Sequence, residues 1–401
     1  MTLLKAGWAK AEITPPPGYP MAGYTRRTAL SAGVLDPLFA RVLVLEAQGR
    51  RFAIVVADVL LLSNRWARRL RRRIASALRV AESRVIVAAT HTHSGPLIDA
   101  APFDFAAPGA KAPAPAYIRR VEARIWRAAR AAMAQLSPVA ASFAKVRVTG
   151  VASDRNRPKQ FRTQPLYLLR FESASGAVIL AIYGCHSTVL GYSNTQFSGD
   201  LLGGLGRRLE KQFDFSLVAC GAAANISTRF TRQAQTPREL GRLSKILASH
   251  AGRARFQDLE VDSVSARVER VSLPFRRLKD PPPAAARVTG RLAEAAEEAR
   301  ENIERLRRSA AFRRKAASAR LTRLRLGKIS LLALPFEIGL ATGEFLWRQR
   351  RAIALCYSNG YWGYIPPASS RPGDYEVISS AFPRETDRRL RGAALRLASR
   401  P

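Results

Sequence analysis

The side chains able to do chemistry in this 401-residue chain are few and oddly placed. It holds four histidines, and two of them, His91 and His93, stand one residue apart in AATHTHSGPLID, at the end of the apolar run RVIVAAT. His186 closes a second apolar run in GAVILAIYGCHS, and Glu337 closes a third in KISLLALPFE. Neutral imidazoles and a carboxylate are the usual ligands of a catalytic zinc, which keeps one coordination position open for water. Each residue alone also has a plain structural reading, as a hydrogen-bonded histidine or a helix-entry cap. Their shared position at the ends of strand-like runs points to a metal. His250 falls within a basic helical stretch and reads as structural.

Such ligands need strands to hold them. The runs at 41–47 and 51–62 read as strands joined by a Gly turn. Trp66, Leu70, Ile74 and Leu78 then recur every four residues, which predicts an amphipathic helix with an arginine-covered outer face. RVIVAAT follows as a strand, so strand, helix and strand form a βαβ unit with parallel strands. His91 and His93 then lie past the C-terminal end of a buried strand, where open α/β sheets bind ligands. Further on, the patterns predict a long Pro/Ala-rich loop at 94–116 and helices at 116–136, 238–253 and 341–353. They also predict a hairpin ending at His186, a long charged helix over 284–318, a hairpin over 320–337 and a strand over 352–366. The expected fold is α/β, a mixed sheet core flanked by helices with the metal site at strand ends, in a single domain over 1–401.

Composition limits the alternatives. The hydrophobic fraction of 47% and the absence of low-complexity tracts indicate a globular chain. No apolar run is long enough for a transmembrane helix, and the N-terminus lacks the apolar core of a signal peptide, so a cytoplasmic or peripheral membrane location is expected. The three cysteines, Cys185, Cys220 and Cys356, form no CxxC pair. The net charge of +36 comes from 66 basic against 30 acidic residues. The arginines spread through most helices without the aromatic interleaving of a nucleic-acid groove, so no specific nucleic acid is expected. A weak, salt-sensitive attraction to anionic lipid is.

Eight segments in order make the sequence resemble the N-terminal catalytic domain of the neutral/alkaline non-lysosomal ceramidase family. They are AGWAKAEITPPPGYPMAGY, FAIVVADVLLL, THTHSGP, the NRP at 156–158, GCHSTVL…NTQFSGD, the NIS at 225–227, LPFE, and NGYWGYIPP…DYE. The resemblance implies a Zn2+ site of His91, His186, Glu337 and Tyr364, with Tyr361 the alternative to Tyr364. It implies Ser227 as nucleophile or transition-state hydrogen bonder, Arg157 and Tyr375 polarising the substrate amide, and His93 in an outer or substrate-contacting place. It further implies hydrolysis of the amide of ceramide or another N-acyl lipid. Zinc lowers the pKa of bound water to about 7 and polarises a carbonyl, which suits amide hydrolysis.

The chain departs from the family pattern in places. Leu97 and Ile98 follow HTHSGP in place of Gly-Gly, Ala224 and Asn225 stand before Ser227 in place of Gly-Asp, and Phe336 replaces the Gly of Pro-Gly-Glu. The family's C-terminal β-sandwich domain is not expected here. A zinc hydrolase of the same fold acting on an unrelated amide or ester, and a non-catalytic basic membrane- or nucleic-acid-binding protein, are the alternative functions.

Overall fold

Alternation of buried side chains along each strand explains the architecture. In Phe39–Ala47, Val42 and Val44 enter one hydrophobic cluster while Leu43 and Leu45 enter another on the opposite face. Successive strand residues point to opposite faces, so a strand buried on both sides reads as an unbroken apolar run. The computed structural model describes residues 4–99, 112–157, 159–160, 163–174, 176–276, 297, 300–301, 303–304 and 315–399.

Three larger sheets carry the described chain. The first has the order Val85–Ala89, Arg50–Ala57, Phe39–Ala47, Lys5–Glu12 and Ser137–Pro138. Val85–Ala89 runs parallel to Arg50–Ala57, as the βαβ reading requires. The second has the order Phe215–Cys220, Gly176–Tyr183, Thr163–Ser173, Ala140–Thr149 and Gln257–Asp258, with the first two strands parallel. The third joins Val264–Pro274, Ala316–Leu326, Ile329–Ala333 and Ala352–Leu355. Ile54, Leu180 and Leu331, one from each sheet, share a single cluster, so the sheets pack on one another. The opposite faces carry helices. Helix Asn64–Leu78 is capped by the Ser63 hydroxyl, which accepts from the Trp66 N–H at 3.1 Å, and it buries Trp66, Leu70, Ile74 and Leu78. Helix Pro115–Ala134 lays Ile118, Val121 and Ile125 into the other cluster, alongside Trp66 and Leu70. The fold is mixed α/β, and among the described residues no helix is long and apolar enough to cross a membrane.

Two elements differ from the sequence expectation. The helix expected over 284–318 falls largely outside the described residues, as does the 100–111 part of the Pro/Ala-rich loop. At the edge of that helix, Ala316–Leu326 is a strand, in which Ala317, Ala319 and Leu321 are buried at the strand period of two. The strand expected over 352–366 stops at Leu355 and resumes only at Tyr364–Ile365. Between them Tyr357 (φ 52°), Asn359 (φ 61°) and Gly360 (φ 137°) take positive φ, outside the extended region of a regular strand. A Cβ on Gly360 would lie 2.1 Å from Asn64 Oδ1. This kinked segment hangs three tyrosines over the ends of the sheets.

Candidate metal centre and active site

Strand ends bring the histidines together. His91 follows Val85–Ala89, and His186 follows Gly176–Tyr183 in the neighbouring sheet. An isolated parallel bridge between Thr92 and Ser187 ties the two loops. His91, His93 and His186 offer ligand nitrogens all within 4.8 Å of one another, and the His91 and His93 Nε2 atoms are 3.2 Å apart. Every Nδ1 is engaged with a backbone carbonyl: His91 with Leu60 at 2.9 Å, His93 with Gly23 at 2.8 Å, and His186 with Ala223 at 3.0 Å. An N–H on Nδ1 leaves Nε2 as a lone pair, the tautomer a metal takes. Burial holds all three imidazoles well below their ordinary pKa; for His91 and His93 a neighbouring histidine adds to this, and for His186 the Arg155 charge does. Lone pairs facing one another at this distance repel, and a cation between them removes the repulsion.

Oxygen donors surround His186 Nε2. Glu337 Oε2 lies 3.2 Å away and the Tyr364 hydroxyl 3.3 Å away. Glu337 and Tyr364 are set beside each other by the short parallel pairing of Glu337–Ile338 with Tyr364–Ile365. Glu337 is fully buried and accepts hydrogen bonds from Tyr357, at 2.9 Å, and from Tyr361. The Tyr357 ring also stacks on His91 at 3.9 Å. This donor set of three imidazole nitrogens, a carboxylate and a phenol fits a divalent cation of the zinc type. Tyr361 and Tyr364 thus part ways: Tyr361 braces Glu337, and Tyr364 faces His186.

A cavity of about 310 Å3 opens above the histidines, lined among others by Arg155, Ser227, Tyr364 and Tyr375. Ser227 is buried at the end of the turn GAAANIS, pairs with Ser153 across a two-residue ladder and bridges His186. Its Oγ accepts from the Arg229 N–H at 3.3 Å. Asn225 fixes the turn: its Nδ2 donates to Asp154 Oδ2 at 2.7 Å and its Oδ1 accepts from Leu340 N–H at 3.0 Å.

Of Arg155 and Arg157, it is Arg155 that lines the cavity. Arg155 is buried, its Nε donates to Glu376 at 2.6 Å, its Nη1 is 3.4 Å from His186 Nε2, and its plane lies 4.0 Å over the Tyr375 ring. Its Nη2 is buried without a hydrogen-bond partner among the described residues. Arg157 does not line the cavity; it pairs with Asp374 at 2.9 Å. Two loops are thereby clamped, since Asn156 also donates to Glu376 at 2.7 Å and accepts from the Tyr375 N–H at 3.1 Å. Both arginines sit in one DRNRP run, and an Asx turn on Asp154 decides which turns inward: Asp154 Oδ1 accepts from the N–H groups of Asn156 and Arg157. Sequence reasoning missed Arg155, Glu376 and Tyr357, which carry no periodic signal. Gly23, in the segment MAGYT, holds φ +111°, and a Cβ there would sit 2.8 Å from His93 Cα. His250, half-buried in helix Pro237–Gly252, is far along the chain from these loops and is not in the histidine group.

Known structures share the fold. A ceramidase complexed with C2 superposes with a TM-score of 0.78 at 17% identity, over 99% of this chain and 75% of that one. A neutral ceramidase from Pseudomonas aeruginosa gives 0.75, again at 17% identity with 99% and 75% covered. No curated protein sequence matches the chain. Residues 4–228, which include His91, His93, His186 and Ser227, match the profile of neutral/alkaline non-lysosomal ceramidases, N-terminal, and the chain belongs to that family.

Proposed function

We propose that the protein is a zinc-dependent amidohydrolase that cleaves the amide bond of ceramide or a related N-acyl compound. The observation that carries this reading is the convergence of three Nε2 lone pairs, each fixed by a carbonyl on Nδ1, beneath a cavity bearing a buried guanidinium with an unused N–H. His91, His186, Glu337 and Tyr364 would hold the ion, with His93 facing the same point. Zinc there supplies a Lewis acid and a nucleophile available near neutral pH.

The chain's own residues do the rest. Hydrolysis adds a water oxygen to the acyl carbon, breaks the C–N bond and delivers a proton to the departing amine. Arg155 Nη2 and the Tyr375 hydroxyl donate to the carbonyl oxygen as it gains negative charge, and such donors act strongly in a site that excludes water. His93 Nε2 accepts a proton, since its Nδ1 is committed to Gly23. The Ser227 hydroxyl, beside His186, either orients the carbonyl or attacks it. The test is release of free fatty acid from N-hexanoylsphingosine by zinc-loaded protein, abolished by chelation and restored by zinc. Absence of cleavage across neutral and charged N-acyl substrates by zinc-replete, folded protein would refute the proposal.

A further inference from the structure

The large hydrophobic side chains left in solvent are not spread over the molecule. Among the described residues they are Leu30, Val34, Tyr192 and Phe230, each between 38% and 51% exposed. Apolar residues exposed singly are ordinary, whereas a cluster of them marks an interaction surface. All four stand on three loops, at 24–36, 188–197 and 228–235, and these loops are knitted together. Gly33–Val34 pairs with Gln196–Phe197. Arg27 donates to the carbonyls of Gly191 and Tyr192, at 3.1 and 3.2 Å. Gly191 lies so close to Gln235 that a Cβ on it would meet the Gln235 Nε2 at 2.1 Å. Phe230 stands in a turn closed by the Thr231 and Arg232 N–H groups, which donate to the Thr228 carbonyl. Tyr192, Arg229 and Gln235 also line the cavity above the histidines, so the loops form its rim.

Basic side chains flank this rim. A groove next to Val34 is lined by Leu35, Pro237, Arg208 and Lys211, and the acid within it, Asp36, is paired with Arg207. Arg208 donates to neutral groups, the Ser244 hydroxyl and the Gly241 carbonyl, both at 3.0 Å. Lys211 and Arg238 are exposed. Apolar tips with cations set behind them suit a bilayer surface, where the tips enter the acyl boundary and Lys and Arg stay level with the phosphates. The net charge of +36 favours an anionic bilayer over a neutral one. A stable protein partner would need about 800 Å2 of continuous contact, which four side chains on three loop tips do not present. The hydrogen bonds that tie the loops together also mean that docking has little chain left to order.

We infer that the rim built from these three loops is a membrane-docking face. It seats Leu30, Val34, Tyr192 and Phe230 in the interface of an anionic bilayer, with Arg208, Lys211 and Arg238 against the lipid phosphates. The mouth of the cavity then faces the lipid. This goes beyond the proposed hydrolysis and does not rest on it, since the rim and its flanking cations stand whatever the site does. It also differs from a diffuse attraction by net charge: the apolar part of the contact is not screened by salt.

The experiment is co-sedimentation of the full chain with vesicles of equal parts phosphatidylcholine and phosphatidylglycerol, free of any N-acyl substrate, at low and at high salt. The wild type should bind at low salt and keep a measurable bound fraction at high salt. The variant Leu30→Ser/Val34→Ser/Tyr192→Ser/Phe230→Ser should lose the high-salt fraction and bind about tenfold or more weakly at low salt, in line with the apolar area withdrawn. Arg208→Gln/Lys211→Gln should weaken low-salt binding by about fivefold for each cation removed. Arg50→Gln/Lys328→Gln removes the same charge at the start of strand Arg50–Ala57 and in the turn before strand Ile329–Ala333, whose far ends lead toward the histidines and Glu337. That variant should stay within about twofold of wild type, because charges more than a Debye length from the bilayer are screened. No salt-resistant binding by the wild type, or equal salt-resistant binding by the quadruple serine variant, overturns the inference. So does a loss in the Arg50/Lys328 variant as large as in the Arg208/Lys211 variant, which would leave only overall charge. A wild-type dimer in sedimentation velocity that the serine variant abolishes, with no vesicle binding, would assign the face to a second copy of the chain and overturn it as well.

Discussion

Replacing Arg155 separates its two roles. Its ion pair with Glu376 is buried on both sides, with side chains 7% and 1% exposed. Removing one partner of such a pair costs about 3–5 kcal/mol. Here the lower end applies, because Glu376 keeps the Asn156 amide at 2.7 Å and burial already pushes its carboxyl pKa up, so it can take a proton. Separately, loss of the Nη2 donor should remove about 2.7–4 kcal/mol of transition-state stabilisation, roughly 10²–10³ in kcat. Arg155→Met should therefore lower both denaturation midpoint and kcat. The double variant Arg155→Met/Glu376→Gln should recover most of the stability, since no buried charge is left alone, and none of the rate. Urea denaturation and kcat on any amide the wild type cleaves, with zinc content as control, read both quantities. Recovery of rate together with stability in the double variant would show that Arg155 only holds the loops. So would an Arg155→Met variant with kcat within about threefold of wild type, well short of the loss expected when an oxyanion donor is removed.

Four further outcomes follow from the site. Elemental analysis of the zinc-loaded protein should find about one zinc per chain; His91→Ala should abolish it, whereas His250→Ala should leave it intact. Ser227→Ala should lower kcat and kcat/KM by the same factor without loss of zinc, and near wild-type turnover would take the serine out of the mechanism. Gly23→Ala forces a side chain onto His93 at positive φ, so it should cost about 1–3 kcal/mol in stability and weaken zinc binding; an unchanged melting temperature would contradict this. In the metal-free chain His93 stays neutral when folded and protonates near pH 6.5 when unfolded. The unfolded state thus binds more protons below that pH, and stability falls with acidification at about 1.4 kcal/mol per pH unit for this group. The His93→Gln variant should show a correspondingly shallower slope between pH 6.5 and 5.

The parts of this structure that could be read from sequence are those governed by period. Val85–Ala89 and Gly176–Tyr183 are apolar throughout because both sheet faces are covered. Their ends, and with them His91 and His186, could therefore be located, and helix Asn64–Leu78 announced itself by its spacing. The rest of the site lies where backbone direction is set by single hydrogen bonds. Arg155 and Arg157 differ only in how the Asp154 turn aims them. The segment from Tyr357 to Gly363 looks like a strand by composition, yet its positive-φ residues turn it into a bracket for Glu337. The resemblance implies an outer or substrate-contacting place for His93, and the sequence did not show that the Gly23 carbonyl turns its ring so that Nε2 meets that of His91.

The clamp between the 154–157 and 374–376 loops also fixes when the site can exist. Arg155 and Glu376 are separated by 221 positions, and Glu337 and Tyr364 join late as well. During synthesis the histidines and Ser227 emerge first, with their oxygen partners still inside the ribosome. Closing so long a loop costs entropy that only the completed core repays. A nascent or truncated chain would therefore present imidazoles with little to hold a metal in place, and acquisition of the ion would mark the finished fold rather than guide it.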